Sequence, residues 1–172
     1  MVTEFAAAAF LVVFALLVIV AALKDVTSFT IPNWISLTLV AAFFLGALAA
    51  GLPLPVIGKC AAVGGCVLLI SMAMFALNWI GGGDAKLFAA CALWMGWPAV
   101  LPFLLATALA GGALALLLLQ MRSAMFKALV DMGPPWLGRL AAKGGDAPYG
   151  LAIAIGALIT VPHSPLFAAA GG

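Results

Sequence analysis

The stretch FAAAAFLVVFALLVIVAAL, from Phe5 to Leu23, contains 19 consecutive apolar residues without a charge. A helix of about 20 apolar residues spans the hydrocarbon core of a membrane, and similar runs recur along the chain. The runs are continuous rather than alternating, which favours helices over strands. Of the 172 residues, 67% are hydrophobic and 7% are charged, which leaves too little polar surface for a soluble domain. We therefore predict an all-α membrane protein.

Proline, glycine and polar residues divide the chain into six apolar segments. These are Phe5 to Leu23, Trp34 to Ala50, Val56 to Ile80, Ala85 to Trp97, Ala99 to Leu119, and Pro148 to Val161. The fourth and fifth segments read together as one helix would be about 52 Å long and would contain two prolines, so a hairpin is the better interpretation. The sequence thus predicts a single domain over residues 1–172, a bundle of six transmembrane helices.

The fourth segment is short for a membrane span. Its 13 residues give a helix of about 20 Å, against a hydrocarbon core of about 30 Å. One of its ends is therefore expected to be recessed. If that is the Gly81 to Asp84 end, Asp84 lies below the membrane surface in a pocket that admits water.

The basic residues predict the orientation, because Lys and Arg flanking short loops are retained on the cytoplasmic side. Alternating the loops puts six of the seven on one side: Lys24, Lys86, Arg122, Lys127, Arg139 and Lys143. Lys59 alone falls on the other side. We expect a multi-pass protein of the inner (plasma) membrane with both termini away from the cytoplasm. The polar loop at about 120–147 then faces the cytoplasm, and Asp25 and Asp84 fall on that side.

Most other polar residues are not expected to form a site. Three acidic residues are interpreted as solvated charges: Glu4, Asp131 and Asp146. The lone His163 has no second histidine, so neither a metal nor a cofactor is expected. The cysteines lie in apolar runs without C-x-x-C spacing and are interpreted as packing residues: Cys60, Cys66 and Cys91. Nothing indicates a nucleic-acid-binding face.

Asp25 and Asp84 remain as candidate catalytic residues. Taken one at a time, each aspartate has a purely structural explanation. Asp25 beside Lys24 would end the first helix in the headgroup layer, and Asp84 would cap the fourth helix. Together they lie on one face of the membrane, each in an irregular segment that feeds a helix. The glycines at 81–83 would let a substrate backbone approach Asp84 closely.

Two carboxyl groups about 3 Å apart share a proton, because both cannot ionise easily. The ionised member can then activate water while the protonated member polarises the scissile carbonyl. This chemistry predicts an aspartic-type peptidase.

The segments Asp25-x5-Ile31-Pro32-Asn33 and Gly81-Gly82-Gly83-Asp84-Ala85-Lys86-Leu87 resemble the two signature segments of type IV prepilin peptidases, the GxGD class of intramembrane aspartyl proteases. The segment Ala147-Pro148-Tyr149-Gly150 is similar to the start of the last helix in that family. The resemblance covers nearly the whole chain and implies that Asp25 and Asp84 are the catalytic pair. It also implies that Gly81, Gly83 and Lys86 shape the second motif, and that Ile31, Pro32 and Asn33 set the beginning of the second span.

The resemblance implies a substrate as well. A prepilin of the type IV or Flp type would be cut on the cytoplasmic side, after a glycine between a short basic leader and the apolar helix. The small size looks most like the stand-alone peptidases of Flp (tight adherence) pilus systems, with archaeal preflagellin peptidases as neighbours. Larger bacterial members carry an additional cytoplasmic segment with paired C-x-x-C motifs and also methylate the new N-terminus. This chain lacks those cysteines, so methyl transfer is not expected.

Other interpretations stay open at this point. A small proton- or cation-coupled transporter would use the same two aspartates, since intramembrane carboxylates commonly mark ion paths. A structural subunit of a secretion complex would tolerate their replacement. Lys86 is interpreted either as an interfacial anchor or as a residue that orients the substrate. The sequence leaves the oligomeric state open.

Overall fold

A computed structural model describes residues 1–121, 138 and 147–171 of the chain. Within these residues the fold consists of helices and contains no strand, which confirms the all-α prediction. The elements are α1 (Val2–Ser28), α2 (Asn33–Ala49), α3 (Leu54–Ala76), α4 (Gly82–Met121), α5 (Tyr149–Thr160), a 3-10 turn (Val161–His163) and α6 (Pro165–Ala169). Most of the predicted cytoplasmic loop at 120–147 lies outside the described residues, together with its basic and acidic side chains.

Three helices are long and apolar enough to cross a membrane, namely α1, α3 and α4. The helix α2 and the stretch Tyr149–His163 are shorter but also apolar. These features agree with a helical membrane protein. The count of six spans and the orientation of the termini stay predictions.

The helix α4 folds back on itself at Gly96. Gly96 has a φ of 57°, and Trp97 after it has extended backbone. The rings of Phe88 and Phe103 are 5.3 Å apart. In a straight helix these two residues would be separated by about 22 Å along the axis. The predicted hairpin is therefore confirmed, with a first arm at 82–95 and a second arm at 98–121.

The first arm lies at the centre of the bundle. Residues 89–96 are all buried, and the ring of Trp94 packs against Phe14 of α1 at 4.7 Å and Phe43 of α2 at 5.8 Å. The indole N–H of Trp94 donates to the Leu39 carbonyl at 2.9 Å, which satisfies a polar group that burial would otherwise make costly. The short fourth segment is thus enclosed by α1 and α2 as well as by α3.

The helix α1 is longer than the predicted segment. It continues through Lys24 and Asp25 to Ser28, and its last turn closes with the Phe29 N–H donating to the Asp25 carbonyl at 2.8 Å. The expectation that each aspartate lies in an irregular segment is therefore wrong for Asp25, and it is wrong for Asp84 as well, because Asp84 lies in the first turn of α4. Beyond the apolar run, the hydroxyl groups of Thr27 and Ser28 donate to the carbonyls of Leu23 and Lys24, one turn earlier in the helix.

The cysteines do not all behave as predicted. Cys60 and Cys91 are buried, as expected for packing residues, whereas Cys66 is exposed on α3. The packing interpretation is wrong for Cys66, because this position faces away from the neighbouring helices.

Candidate active site

Asp25 lies in the last turn of α1 and is 5% exposed. The backbone N–H of Gly150, in the first turn of α5, donates to its Oδ2 at 2.7 Å. The end of a helix disfavours a negative charge, whereas the beginning of a helix favours one. The start of α5 therefore supplies the donor that the end of α1 lacks.

Asp84 lies in the first turn of α4 and is half-buried. The turn begins at Gly81, whose carbonyl accepts from the Ala85 N–H at 3.0 Å. A methyl group built on Gly81 would lie 2.9 Å from Asp84 Oδ2. The carboxylate is thus turned back over Gly81, in space that a side chain at position 81 would occupy.

A buried serine of α3 supports the same turn. Ser71 Oγ lies 2.7 Å from the carbonyl oxygen of Val67 in its own helix and 3.2 Å from that of Ala85, and its single proton is shared between these acceptors. Since Ala85 directly follows Asp84, this contact fixes the turn of the second motif against α3.

Ile31 connects the two motifs. A methyl group on Gly83 would lie 3.1 Å from Ile31 Cβ, and a methyl group on Gly150 would lie 2.7 Å from Ile31 Cδ1. Ile31 therefore packs between Gly83, the residue before Asp84, and Gly150, the partner of Asp25. Both predicted aspartates accordingly lie at the same end of the bundle, on either side of these contacts.

A second link joins the motifs through polar groups. Lys86 Nζ donates to Asn33 Oδ1 at 2.8 Å, and both side chains are exposed. Pro32, with extended backbone, precedes the first residue of α2, which is Asn33. The two interpretations of Lys86 did not include this contact, which ties the beginning of α2 to the first turn of α4.

Two cavities flank the second motif. The larger, of about 660 Å³, is lined by residues of α2, α3 and the first arm of α4, including Asn33, Ser36 and Lys86. The smaller, of about 330 Å³, is lined by residues of both arms of α4 and of α5, including Asp84 and Tyr149. Residues two apart on a helix point to different sides. Asp84 and Lys86 accordingly border different cavities.

Residues 12–116 match the sequence model of the type IV leader peptidase family, over well more than half of the chain. The chain belongs to the type IV leader peptidase family. Both predicted aspartates lie within the matched residues, and the predicted family is thereby confirmed, while the segment at 147–150 lies outside the match. The chain matches no curated protein and no solved structure.

The sequence did not indicate Gly150 as a site residue of this leader peptidase. The segment at 147–150 pointed only to the start of the last helix. The signal was a glycine directly after Pro148 and Tyr149, where a helix begins and its first N–H groups have no partner within the helix. Which carboxylate those groups meet depends on how α5 packs against α1, and no local pattern encodes that packing.

Proposed function

We propose that this leader peptidase is an aspartic-type endopeptidase in which Asp25 and Asp84 cleave the leader from a type IV or Flp prepilin. The observation that carries the proposal is the packing of Ile31 against both Gly83 and Gly150. It joins the segment that bears Asp84 to the residue that binds Asp25. Of the alternatives, a leader peptidase agrees with the family, and no observation favours a transporter.

The reaction needs one carboxylate and one carboxylic acid. The ionised member takes a proton from a water molecule as the water oxygen attacks the scissile carbonyl carbon. The protonated member keeps its proton and donates a hydrogen bond to the carbonyl oxygen, which develops negative charge. When the peptide bond breaks, the leaving amine receives a proton from the pair, which returns to its starting state.

The cavity beside Asp84 supports an apolar peptide as the substrate. Its walls include small residues from the second arm of α4 and from α5: Ala108, Gly111, Gly112, Ala115 and Ala152. Small side chains let a peptide backbone approach closely, as at helix interfaces in membranes. The start of the apolar pilin helix fits this description, while a basic leader would remain in water.

The location and the pilus type rest on the sequence. Six of seven basic residues would flank the same side as both aspartates, which supports cleavage at the cytoplasmic face of the inner membrane. An Flp-type substrate and cleavage without methyl transfer are parts of the same proposal and come from the family resemblance.

The test is co-expression with a candidate Flp prepilin, comparing leader removal on a gel by the parent chain, Asp25→Asn and Asp84→Asn. We expect the parent to remove the leader and each variant to leave the prepilin uncut, at unchanged protein level in the membrane. Amide side chains are close in shape to carboxylic acids but cannot ionise. Normal processing by both variants would refute the aspartic mechanism and would fit a structural subunit.

A further inference from the structure

We propose that Gly150 is a positioning residue of the peptidase, a role that rests on the proposed function above. Its N–H holds Asp25 Oδ2, and its missing side chain leaves the space in which the Asp25 carboxylate lies. Gly150 itself touches no reacting atom. It acts through Asp25.

Asp25 depends on a donor from outside its own helix. It lies in the last turn of α1, where the exposed carbonyl ends disfavour a negative charge. The nearby N–H of Phe29 is already bonded to the backbone carbonyl of Asp25. The carboxylate is buried, and a buried charge without hydrogen bonds is costly.

The first turn of α5 can supply that donor because its N–H groups lack partners in their own helix. The N–H of Tyr149 donates to the Ala147 carbonyl at 2.8 Å, and that of Leu151 to the Pro148 carbonyl at 3.2 Å. The N–H of Gly150, between them, is directed to Asp25 at 2.7 Å. Leu151 is a second backbone hydrogen-bond partner of Asp25, so the start of α5 holds the carboxylate through two neighbouring residues, and Gly150 is the one at 2.7 Å.

Position 150 also requires the absence of a side chain. A methyl group there would lie 2.8 Å from Asp25 Oδ2, 3.1 Å from Asp25 Cβ and 2.7 Å from Ile31 Cδ1. Carbon atoms in favourable contact are about 3.5 to 4.0 Å apart, so an alanine would push both side chains away. Gly150 lies within a helix, and it is therefore needed for space rather than for an unusual backbone conformation.

The first turn of α5 also lines the cavity beside Asp84. Tyr149, next to Gly150, lines the smaller cavity together with Asp84. A displacement of α5 would therefore change the placement of Asp25 relative to the cavity in which the substrate would lie. We infer that docking of α5 sets the geometry of the pair.

The kinetic test compares purified parent chain and Gly150→Ala on a prepilin. Misplacement of a reacting group by about 1 Å costs on the order of 100-fold in rate, so we expect kcat to fall by about that factor with KM little changed. The matched control is Gly58→Ala, since a methyl group at Gly58 meets nothing within 4 Å. We expect that control to cleave at the parental rate.

A double variant separates the two contacts of position 150. Ile31→Val with Gly150→Ala removes the Cδ1 atom that the alanine would strike, and leaves the clash with Asp25. If Gly150 positions Asp25, the double variant stays as slow as Gly150→Ala. Return of kcat to the level of the Ile31→Val variant would overturn the proposal, because packing against Ile31 would then explain the glycine.

A second measurement needs neither cleavage nor an altered glycine. Hydrogen exchange at the Gly150 amide, followed by NMR, should be slow in the parent and much faster in Asp25→Ala, with no change in the middle of α5. Equal exchange in both proteins would overturn the proposal. If the parent cleaves no prepilin, the proposed function fails, while this exchange measurement still decides whether Gly150 holds Asp25.

Discussion

Asp25 and Asp84 are the two candidate catalytic carboxylates, but the chain positions them in different ways. Asp25 lies at the end of a helix, and its hydrogen-bond donor, Gly150, is 125 residues away in sequence. Asp84 lies at the start of a helix and leans over Gly81, three residues before it. The described contacts thus hold Asp25 across the bundle, whereas the Asp84 carboxylate leans over its own turn.

The difference indicates which substitutions should displace each carboxylate. Helices in a membrane associate through close packing, because lipid offers no hydrophobic gain for bringing them together. Asp25 therefore depends on the fit of α5 against α1, while Asp84 depends on the glycines beside it. Ile31 is one point at which the surroundings of the two carboxylates touch.

Among variants that keep both aspartates and Gly150, the largest effect is expected from Gly81→Ala, which disturbs the turn that bears Asp84. The new methyl group would lie 2.9 Å from Asp84 Oδ2 and would force that carboxylate to turn away. Only the end of a side chain has to move, so the fold should be retained. We expect kcat for leader removal to drop on the order of 100-fold, as for other small misplacements of a reacting group.

Thermal unfolding and Gly150 amide exchange check that this effect is local. Both should match the parent in Gly81→Ala, because Asp25 and α5 are not disturbed. Faster exchange at Gly150 in this variant would show that the two carboxylates are not positioned independently.

The same comparison explains what the sequence could and could not predict. The all-α fold and the hairpin in α4 follow from the length of apolar runs and from Pro98 and Pro102, which are local features. The turn at 81–84 is also local. The partner of Asp25 depends on the docking of α5 against α1, and the helical conformation at Asp25 continued past the apolar run. Neither could be predicted from nearby residues.

An intermediate effect is expected from Ser71→Ala, which removes a contact between α3 and the turn that bears Asp84. Ser71 Oγ shares its proton between the carbonyl of Val67 and that of Ala85, next to Asp84. A buried hydrogen bond contributes about 1 kcal/mol, so we expect unfolding to become easier by about that amount. Cleavage should slow by several-fold at most, because the glycine turn remains. Unchanged stability and rate together would show that this bond does not support the turn.

The smallest effect is expected from the Lys86 to Asn33 contact, which joins the two motifs at the surface. Exposed polar pairs contribute at most about 1 kcal/mol, so Lys86→Met and Asn33→Ala should each slow cleavage by less than about fivefold. The two side chains form one hydrogen bond of 2.8 Å.

If that bond is their shared role, the double variant should be no slower than the slower single variant. Effects that multiply would mean that the two residues act separately, and a loss near 100-fold for Lys86→Met alone would indicate a direct contact with the substrate. Because Lys86 and Asp84 border different cavities, we expect the small, shared effect.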